Sequence, residues 1–376
     1  LTFAQSKYKR VSRRRIVLGD GALCLLPAAH RHQWDVHNAA RFGPVVPEDL
    51  VSSTAGAGSR PGILDSAFSM QSTRSVAATV IELPFTRPFD WTRLCAFIGG
   101  RASAGVETVE GGVYRRAIAW RGEDGIVEVR PHERKHRLVV TVQGDVCHHA
   151  NELAEPLSRM FDVGADPRAI GRWLARDPLL APLVEAAPGL RVPGAWSGFE
   201  LVVRTIVGQQ VSVKGASTIM ARIVQRAGRR IDGHVHEGTA WRFPTPAELA
   251  AADLGQIGMP GKRVETVQRF AQAVATGALP IDTPGIDREH LKRELLAMPG
   301  IGPWTVGYVA MRALRDPDAW PDADLVLMQA IARHEPSLTT SVQQRAYTDR
   351  WRPWRAYAAM HLWNRVAMEA GRARGG

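Results

Sequence analysis

Cysteine is scarce in this chain: three in 376 residues, at positions 24, 95 and 147. They are too far apart for a zinc or iron–sulfur pattern and too few for a disulfide framework, and a reducing compartment suits them. Long apolar runs are also missing. No stretch of 18 apolar residues occurs, so no membrane-spanning helix is expected. The one stretch worth checking as an export signal, residues 7–29, has its apolar part broken by Asp20 and two glycines, and export is not expected. Acidic residues fall short of basic ones, 37 against 48, for a formal net charge of +11. That balance points to an anionic polymer, nucleic acid above all, rather than an acidic protein surface.

What remains is ordinary for a globular protein. The hydrophobic fraction is 45%, and the length suits two to three domains with a core that needs no staples. Residues 1–75 mix basic clusters, isolated histidines and a small-residue stretch, STAGAGSRPG, with no sustained period of two or 3.6. They read as a disordered leader. Its His30 and His32 read as solvated and not as a metal site. The chain begins at Leu1, which fits a fragment of a longer fusion or a misassigned start.

From Thr79 the pattern tightens. Val80 to Leu83 starts a strand, and Asp90 precedes a helix from Trp91 to Gly99 with Leu94, Phe97 and Ile98 on one face. Strand-like runs follow at Glu107 to Val109, Tyr114 to Trp120, Ile126 to Arg130 and Arg137 to Val142, punctuated by glycines and Pro131. One helix on a small antiparallel sheet gives an α+β domain over 79–145. Beyond it the period becomes helical. An all-α domain is expected over 146–370, with helices that include 148–161, 178–187, 197–207, 212–227, 303–314, 324–333 and 353–370. No internal repeat is visible.

Three segments of the helical half could carry chemistry. Pro299-Gly300-Ile301-Gly302 is a tight turn between helices. Its glycines leave amide groups uncovered at a helix start, where the dipole favours an anion such as phosphate. The same turn also serves as a plain helical hairpin. About twenty residues on, Asp322 and Asp324 follow Trp320-Pro321. Asp324 stands directly before Leu325-Val326-Leu327, at an N-cap position, and a capping role is compatible with a fixed carboxylate that stabilises positive charge on a sugar. Third, Gln209 and Gln210 lie between two helices, followed by Ser212. They read either as an ordinary turn with a Ser cap or as a side-chain wedge that fills the gap left by an extruded base. Trp304 and Tyr308 share a helix face and, with Trp363, could stack on such a base or simply pack in the core. Arg350, Arg352 and Arg355 read equally as a backbone-binding strip or a solvated face.

Together these residues resemble the helix-hairpin-helix DNA glycosylases, in particular the bacterial 3-methyladenine DNA glycosylase II branch. The resemblance runs from about Val80 to Trp363. It is carried by LPFTRPFDWTRLCAFIGGRASAGVETV, GFELVVRTIVGQQVSV, FPTPAELAAADL, IGMPGKR, LLAMPGIGPWT, PDADL and RWRPWRAYAAMHLW. It implies a TATA-binding-protein-like α+β module followed by an all-α helix-hairpin-helix glycosylase domain. Asp324 takes the place of the family's catalytic aspartate, and Pro299 to Gly302 that of its DNA-gripping hairpin, which in some relatives also holds a structural monovalent cation. No other cofactor is implied. Trp304, Tyr308 and Trp363 match the aromatic base pocket, and Phe97 the residue that the N-terminal module lends to it. Gln210, with Gln209 and Ser212 beside it, falls at the minor-groove wedge, which is aliphatic in the best-known member. Lyase-competent relatives carry Lys where Trp304 stands, so hydrolysis without strand cleavage is implied. The C-terminal four-cysteine cluster of iron–sulfur members is missing, as are the cysteines of the zinc-containing regulator fused to some relatives.

The function this implies is a monofunctional glycosylase of base excision repair. It would release 3-methyladenine and related N-alkylpurines flipped out of double-stranded DNA, acting as a monomer with no membrane partner in a bacterial cytoplasm, at the nucleoid. Two alternatives stay open: a non-catalytic helix-hairpin-helix DNA-binding protein, which would release no base, and a glycosylase for oxidised or deaminated bases. A lyase among the latter would form a borohydride-trappable adduct.

Overall fold

A computed structural model of the protein describes residues 78–231 and 238–375. The leader expected over 1–75 lies outside the described residues. Strands β1 (Ala78–Pro84), β2 (Glu107–Glu110), β3 (Val113–Trp120), β4 (Glu123–Pro131) and β5 (Arg137–Gly144) form an antiparallel sheet in the order β1-β5-β4-β3-β2. The first strand therefore closes against the last, in a register that sets Ile81 opposite Val140. Between β3 and β4 the chain reverses through Arg121 and Gly122, both at positive φ, the conformation a two-residue hairpin needs. β5 alternates strictly, with Leu138, Val140 and Val142 fully buried.

Helix α1 (Trp91–Gly99) is started by Asp90, whose carboxylate accepts the Arg93 amide at 2.9 Å. It lays Trp91, Leu94, Cys95 and Ile98 on the sheet, and these spacings define a single helical stripe. Phe97 lies outside that stripe. Contrary to the expectation that it shares a face with Leu94 and Ile98, it packs against the core of the helical half.

That half comprises α2 (Ala154–Met160), α3 (Pro167–Leu174), α4 (Ala181–Ala186), α5 (Gly198–Gly208), α6 (Val213–Ala227), α7 (Pro246–Ala251), α8 (Gly261–Ala275), α9 (Arg288–Ala297), α10 (Pro303–Arg312), α11 (Leu325–His334), α12 (Ser341–Thr348) and α13 (Arg355–Gly375). It is not purely helical: Arg229–Arg230 (β6) and Trp241–Arg242 (β7) pair as a short ribbon. Two helices are shorter than the sequence suggests. The run expected over 148–161 is a 3-10 helix, Asp145–Leu153, followed by α2. Pro156 has no N–H to bond back to an upstream carbonyl, so it is tolerated only in the first turn of an α-helix, and α2 starts just before it at Ala154. The helix expected from 178 starts at Ala181, because Asp177 first gathers the amides of Leu179, Leu180 and Ala181 into a turn.

Sheet and helices are joined by buried charge. Arg116 on β3 bonds Glu200 on α5 and, at 3.3 Å, Glu107 on β2. Arg204 on α5 closes the ring, 2.7 Å from Glu107 and 3.1 Å from Glu200. Tyr114 adds a hydroxyl donor to Glu107 at 2.7 Å. Burial pushes the Glu107 carboxyl up, but Arg204 and Arg116 outweigh it and bring it to about 2. Removing one member would strand a buried charge, so the ring fixes α5 rigidly against the sheet.

Candidate active site

The hairpin is built by one glycine and one buried anchor. Gly300 has φ +92°, and a Cβ there would stand 2.4 Å from Thr266 Oγ1. Glycine is thus required both by conformation and by space. Gly302 has an ordinary φ of −102° and open space around its Cβ position, so its contribution is access to the backbone. No side chain caps α10, whose N-terminus Gly302 forms. The Ile301 side chain is buried in the helical core and offers nothing outward, whereas Pro299 and Gly300 are exposed.

The two glutamines separate. Gln209 turns inward: its Nε2 donates to Gly300 O at 3.1 Å and to Thr305 Oγ1 at 3.3 Å, bracing the hairpin from α5. Gln210 stands exposed at φ +58°, its Oε1 accepting from Arg263 at 3.2 Å. The hydroxyl of Ser212 is committed to capping α6, accepting the Gly215 amide at 3.1 Å.

Asp324 and Asp322 also separate. Asp322 faces Arg345 on α12, 3.3 Å away. Asp324 is the N-cap of α11 and is buried. Its Oδ1 accepts the Leu327 amide at 3.0 Å and the Trp363 indole N–H at 3.2 Å, while Oδ2 accepts the Trp304 indole N–H at 2.8 Å. Burial pushes its carboxyl above the ordinary aspartate range, and these bonds reverse only part of that rise. The caps and the short α10–α11 connection are local, but Trp363 arrives from 39 residues away on α13.

Asp324 sits in the wall of a cavity of about 650 Å³. Trp304 and Tyr308 stack there at 5.3 Å and 10°, and Trp363 meets Tyr308 nearly edge-on at 6.1 Å. Phe97 completes the aromatic lining, reaching in from the other half of the molecule. All four aromatic residues singled out in the sequence thus meet in one place. Sequence reasoning missed the cations among them. The Arg101 guanidinium lies 3.7 Å from the centre of the Phe97 ring and that of Arg312 5.1 Å from it. Arg312 also donates to the Tyr308 hydroxyl at 2.8 Å and to the carbonyls of Pro193 and Gly194. Burial raises the Tyr308 phenol, but Arg312 and Arg101 outweigh it and hold it below its usual value. Among the described residues lining the cavity, Asp324 is the single acid and there is no lysine. The i, i+4 spacing of Tyr308 and Arg312 was the one available signal for this wall.

Arg350, Arg352 and Arg355 form neither a free strip nor a simple solvated face. Arg352 and Arg355 clamp Asp318 and Asp349, and Arg350 lies over the Tyr347 ring at 3.9 Å. Among the described residues, no helix is long and apolar enough to cross a membrane.

Comparison with known proteins places the chain in a family. Two family models match, the AlkA N-terminal domain over residues 80–197 and the HhH-GPD superfamily base excision DNA repair protein over 203–356. The chain is 37% identical over 279 residues to DNA-3-methyladenine glycosylase 2 of Escherichia coli K12, a match that spans 73% of this chain and 94% of that protein. It is 36% identical over 294 residues to a probable bifunctional transcriptional activator/DNA repair enzyme AlkA of Mycobacterium tuberculosis, spanning 77% of this chain but only 58% of the relative. Among solved structures, a 3-methyladenine DNA-glycosylase from Archaeoglobus fulgidus shares the fold, with a TM-score of 0.66 at 22% identity over 77% of this chain and 98% of that one.

Proposed function

Because this chain belongs to the HhH-GPD superfamily of base excision DNA repair proteins, with an AlkA-type N-terminal domain, we propose that its cavity receives an alkylated base flipped out of duplex DNA and that Asp324 assists departure of that base. The protein is a DNA glycosylase acting on alkylated bases. As the bond between C1′ and the base nitrogen breaks, the electron pair leaves with the base and the sugar becomes cationic. A carboxylate fixed beside C1′ stabilises that charge without having to reorganise. Water then supplies the oxygen that completes the abasic sugar. The observation that carries the assignment is the triple anchoring of Asp324 by Trp304, Trp363 and Leu327 inside the cavity. No lysine among the described lining residues supplies an amine for a covalent imine, which favours hydrolysis over lyase chemistry.

The hairpin is the grip in this proposal. Its exposed Pro299–Gly300 turn and the uncapped start of α10 suit a phosphate, and the exposed side chain of Gln210 is the candidate wedge. The carbonyl oxygens of Met298, Pro299 and Gly300 each accept one hydrogen bond from the protein and each keeps a second lone pair. Such oxygen donors suit a hard monovalent cation, which would stiffen the turn. One chain provides the whole site, so a monomer suffices, and a bacterial cytoplasm at the nucleoid is the setting proposed for it.

A second lesion class is favoured by Arg101 and Arg312. Guanidinium groups at the cavity wall suit a base with a carbonyl acceptor better than a cationic one, and deaminated purines have such an acceptor. One experiment tests both. The bases released from alkylated, deaminated and oxidised DNA are separated chromatographically for the wild type and Asp324→Asn. Loss of release by about 10²–10³-fold with DNA binding retained is expected. Release of 3-methyladenine by the variant at the parent rate would remove Asp324 from the mechanism.

A further inference from the structure

A second cluster of ligating side chains lies on the N-terminal module, and none of its residues lines the cavity. Glu123 is the first residue of β4, just past the β3–β4 turn. The 3-10 helix Asp145–Leu153 follows β5 and brings His148 and His149 to the same place. Nε2 of His148 lies 2.9 Å from Glu123 Oε2, and Nε2 of His149 lies 3.6 Å from the same oxygen. One ligand atom from each of the three residues falls within 4.8 Å of the others. Ligand atoms on one tetrahedral ion with bonds of about 2.0–2.2 Å sit roughly 3.4 Å apart, so the spacing needs little adjustment.

Hydrogen bonding around the cluster says which atoms face inward. Nδ1 of His149 is 3.1 Å from Glu152 Oε1. The other oxygen of Glu152 already accepts from Arg121 Nε at 2.6 Å and Trp120 Nε1 at 3.0 Å. Glu152 is thus a fixed acceptor, which assigns the His149 proton to Nδ1 and leaves the Nε2 lone pair aimed at Glu123. At 3.6 Å no hydrogen bond spans that gap. Glu123 Oε2 is itself buried, and His148 Nε2 stands almost equally near both carboxylate oxygens, 3.0 Å from Oε1 and 2.9 Å from Oε2. Two imidazole nitrogens and one carboxylate thus converge on one point, and with both Nε2 atoms unprotonated a cation there replaces repulsion between lone pairs by coordination. Carboxylate to histidine to metal is the arrangement that holds imidazole ligands in place.

We propose that Glu123, His148 and His149 bind a divalent transition-metal ion, Zn²⁺ first among them, with Glu152 orienting His149. Two imidazoles and a carboxylate favour such an ion over Mg²⁺ or Ca²⁺, which take oxygen ligands. Water completes the coordination. The ion ties the end of the β3–β4 hairpin to the 3-10 helix that leads into the helical half, so its effect is on stability rather than on base release. The sequence gives no hint of the site, because its ligands come from segments 25 residues apart.

The full chain, stripped by chelation, is titrated with zinc chloride by calorimetry, and bound zinc is counted by elemental analysis. Variants are His148→Ala/His149→Ala, Glu123→Gln and Glu152→Gln, with base release as the check that each is folded. The double histidine variant should lose one zinc per chain. Glu152→Gln should weaken that site about 10–100-fold. Zinc should raise the Tm of the wild type and leave that of the double variant unmoved. Absence of zinc binding by the wild type at millimolar concentration would overturn the proposal, as would equal stoichiometry and affinity in the double variant. The second outcome would assign the zinc to other histidines.

Discussion

Trp304→Phe isolates what the indole N–H does for Asp324. The substitution keeps an aromatic ring over Tyr308, whose stacking partner Trp304 is at 5.3 Å. It removes the donor 2.8 Å from Oδ2 and reduces the bicyclic indole to a single ring. A hydrogen bond to a charged, buried group contributes about 1.5–3 kcal/mol to the charged form. Its loss should therefore disfavour the anion and raise the Asp324 pKa further. Burial already holds that carboxyl above the aspartate range, so the change adds to an existing shift. The sign follows directly. In the proposed mechanism Asp324 acts as the anion, so base release should be lost as pH falls through its pKa, and a higher pKa moves the acid limb to higher pH. Single-turnover release of 7-methylguanine from methylated duplex, measured from pH 4.5 to 9, would show the limb shifted with little change at the alkaline plateau. Trp363→Phe removes a longer bond of 3.2 Å to an oxygen that keeps the Leu327 amide, so its shift should be smaller. An acid limb that stays in place in Trp304→Phe, or a larger shift in Trp363→Phe, would refute the account of the anchored carboxylate.

Three further outcomes follow from the same geometry. Gly300→Ala forces φ +92° on a side chain and drives its Cβ to 2.4 Å from Thr266 Oγ1. It should cost about 1–2 kcal/mol in thermal unfolding from the backbone alone. Duplex affinity should fall with little change in its salt slope, because the hairpin's contacts come from neutral backbone amides and not from Lys or Arg. Asp322→Asn should change base release less than about twofold, because that carboxylate faces Arg345 outside the cavity wall, whose charge pair is worth at most about 1 kcal/mol. Glu107→Gln leaves Arg116 and Arg204 to share Glu200, with one buried positive charge uncompensated, and should cost about 3–5 kcal/mol in calorimetry at neutral pH. Because Glu107 is held at about 2 in the folded state, that advantage of the wild type is present above the ordinary glutamate range and should fade as pH falls from about 4.5 toward 2.

Local features of the site were legible in the sequence. Asp324 as an N-cap, Ser212 as a cap, the Pro299–Gly302 turn and the shared face of Trp304 and Tyr308 each depend on a few consecutive backbone angles, and those angles leave a residue-level signature. Tertiary packing decided everything that joins distant segments. It separated Gln209 from Gln210 and Asp324 from Asp322, although each pair reads alike along the chain. It carried Phe97 from the sheet domain and Trp363 from the last helix to the same cavity. It assembled the ring of Glu107, Arg116, Glu200 and Arg204, and placed Glu123 beside His148 and His149, with no spacing rule to announce either. The physical reason is one of range: caps and turns are satisfied by neighbours within four residues, whereas a buried charge or an open lone pair finds its partner only where the packed core brings separate elements together.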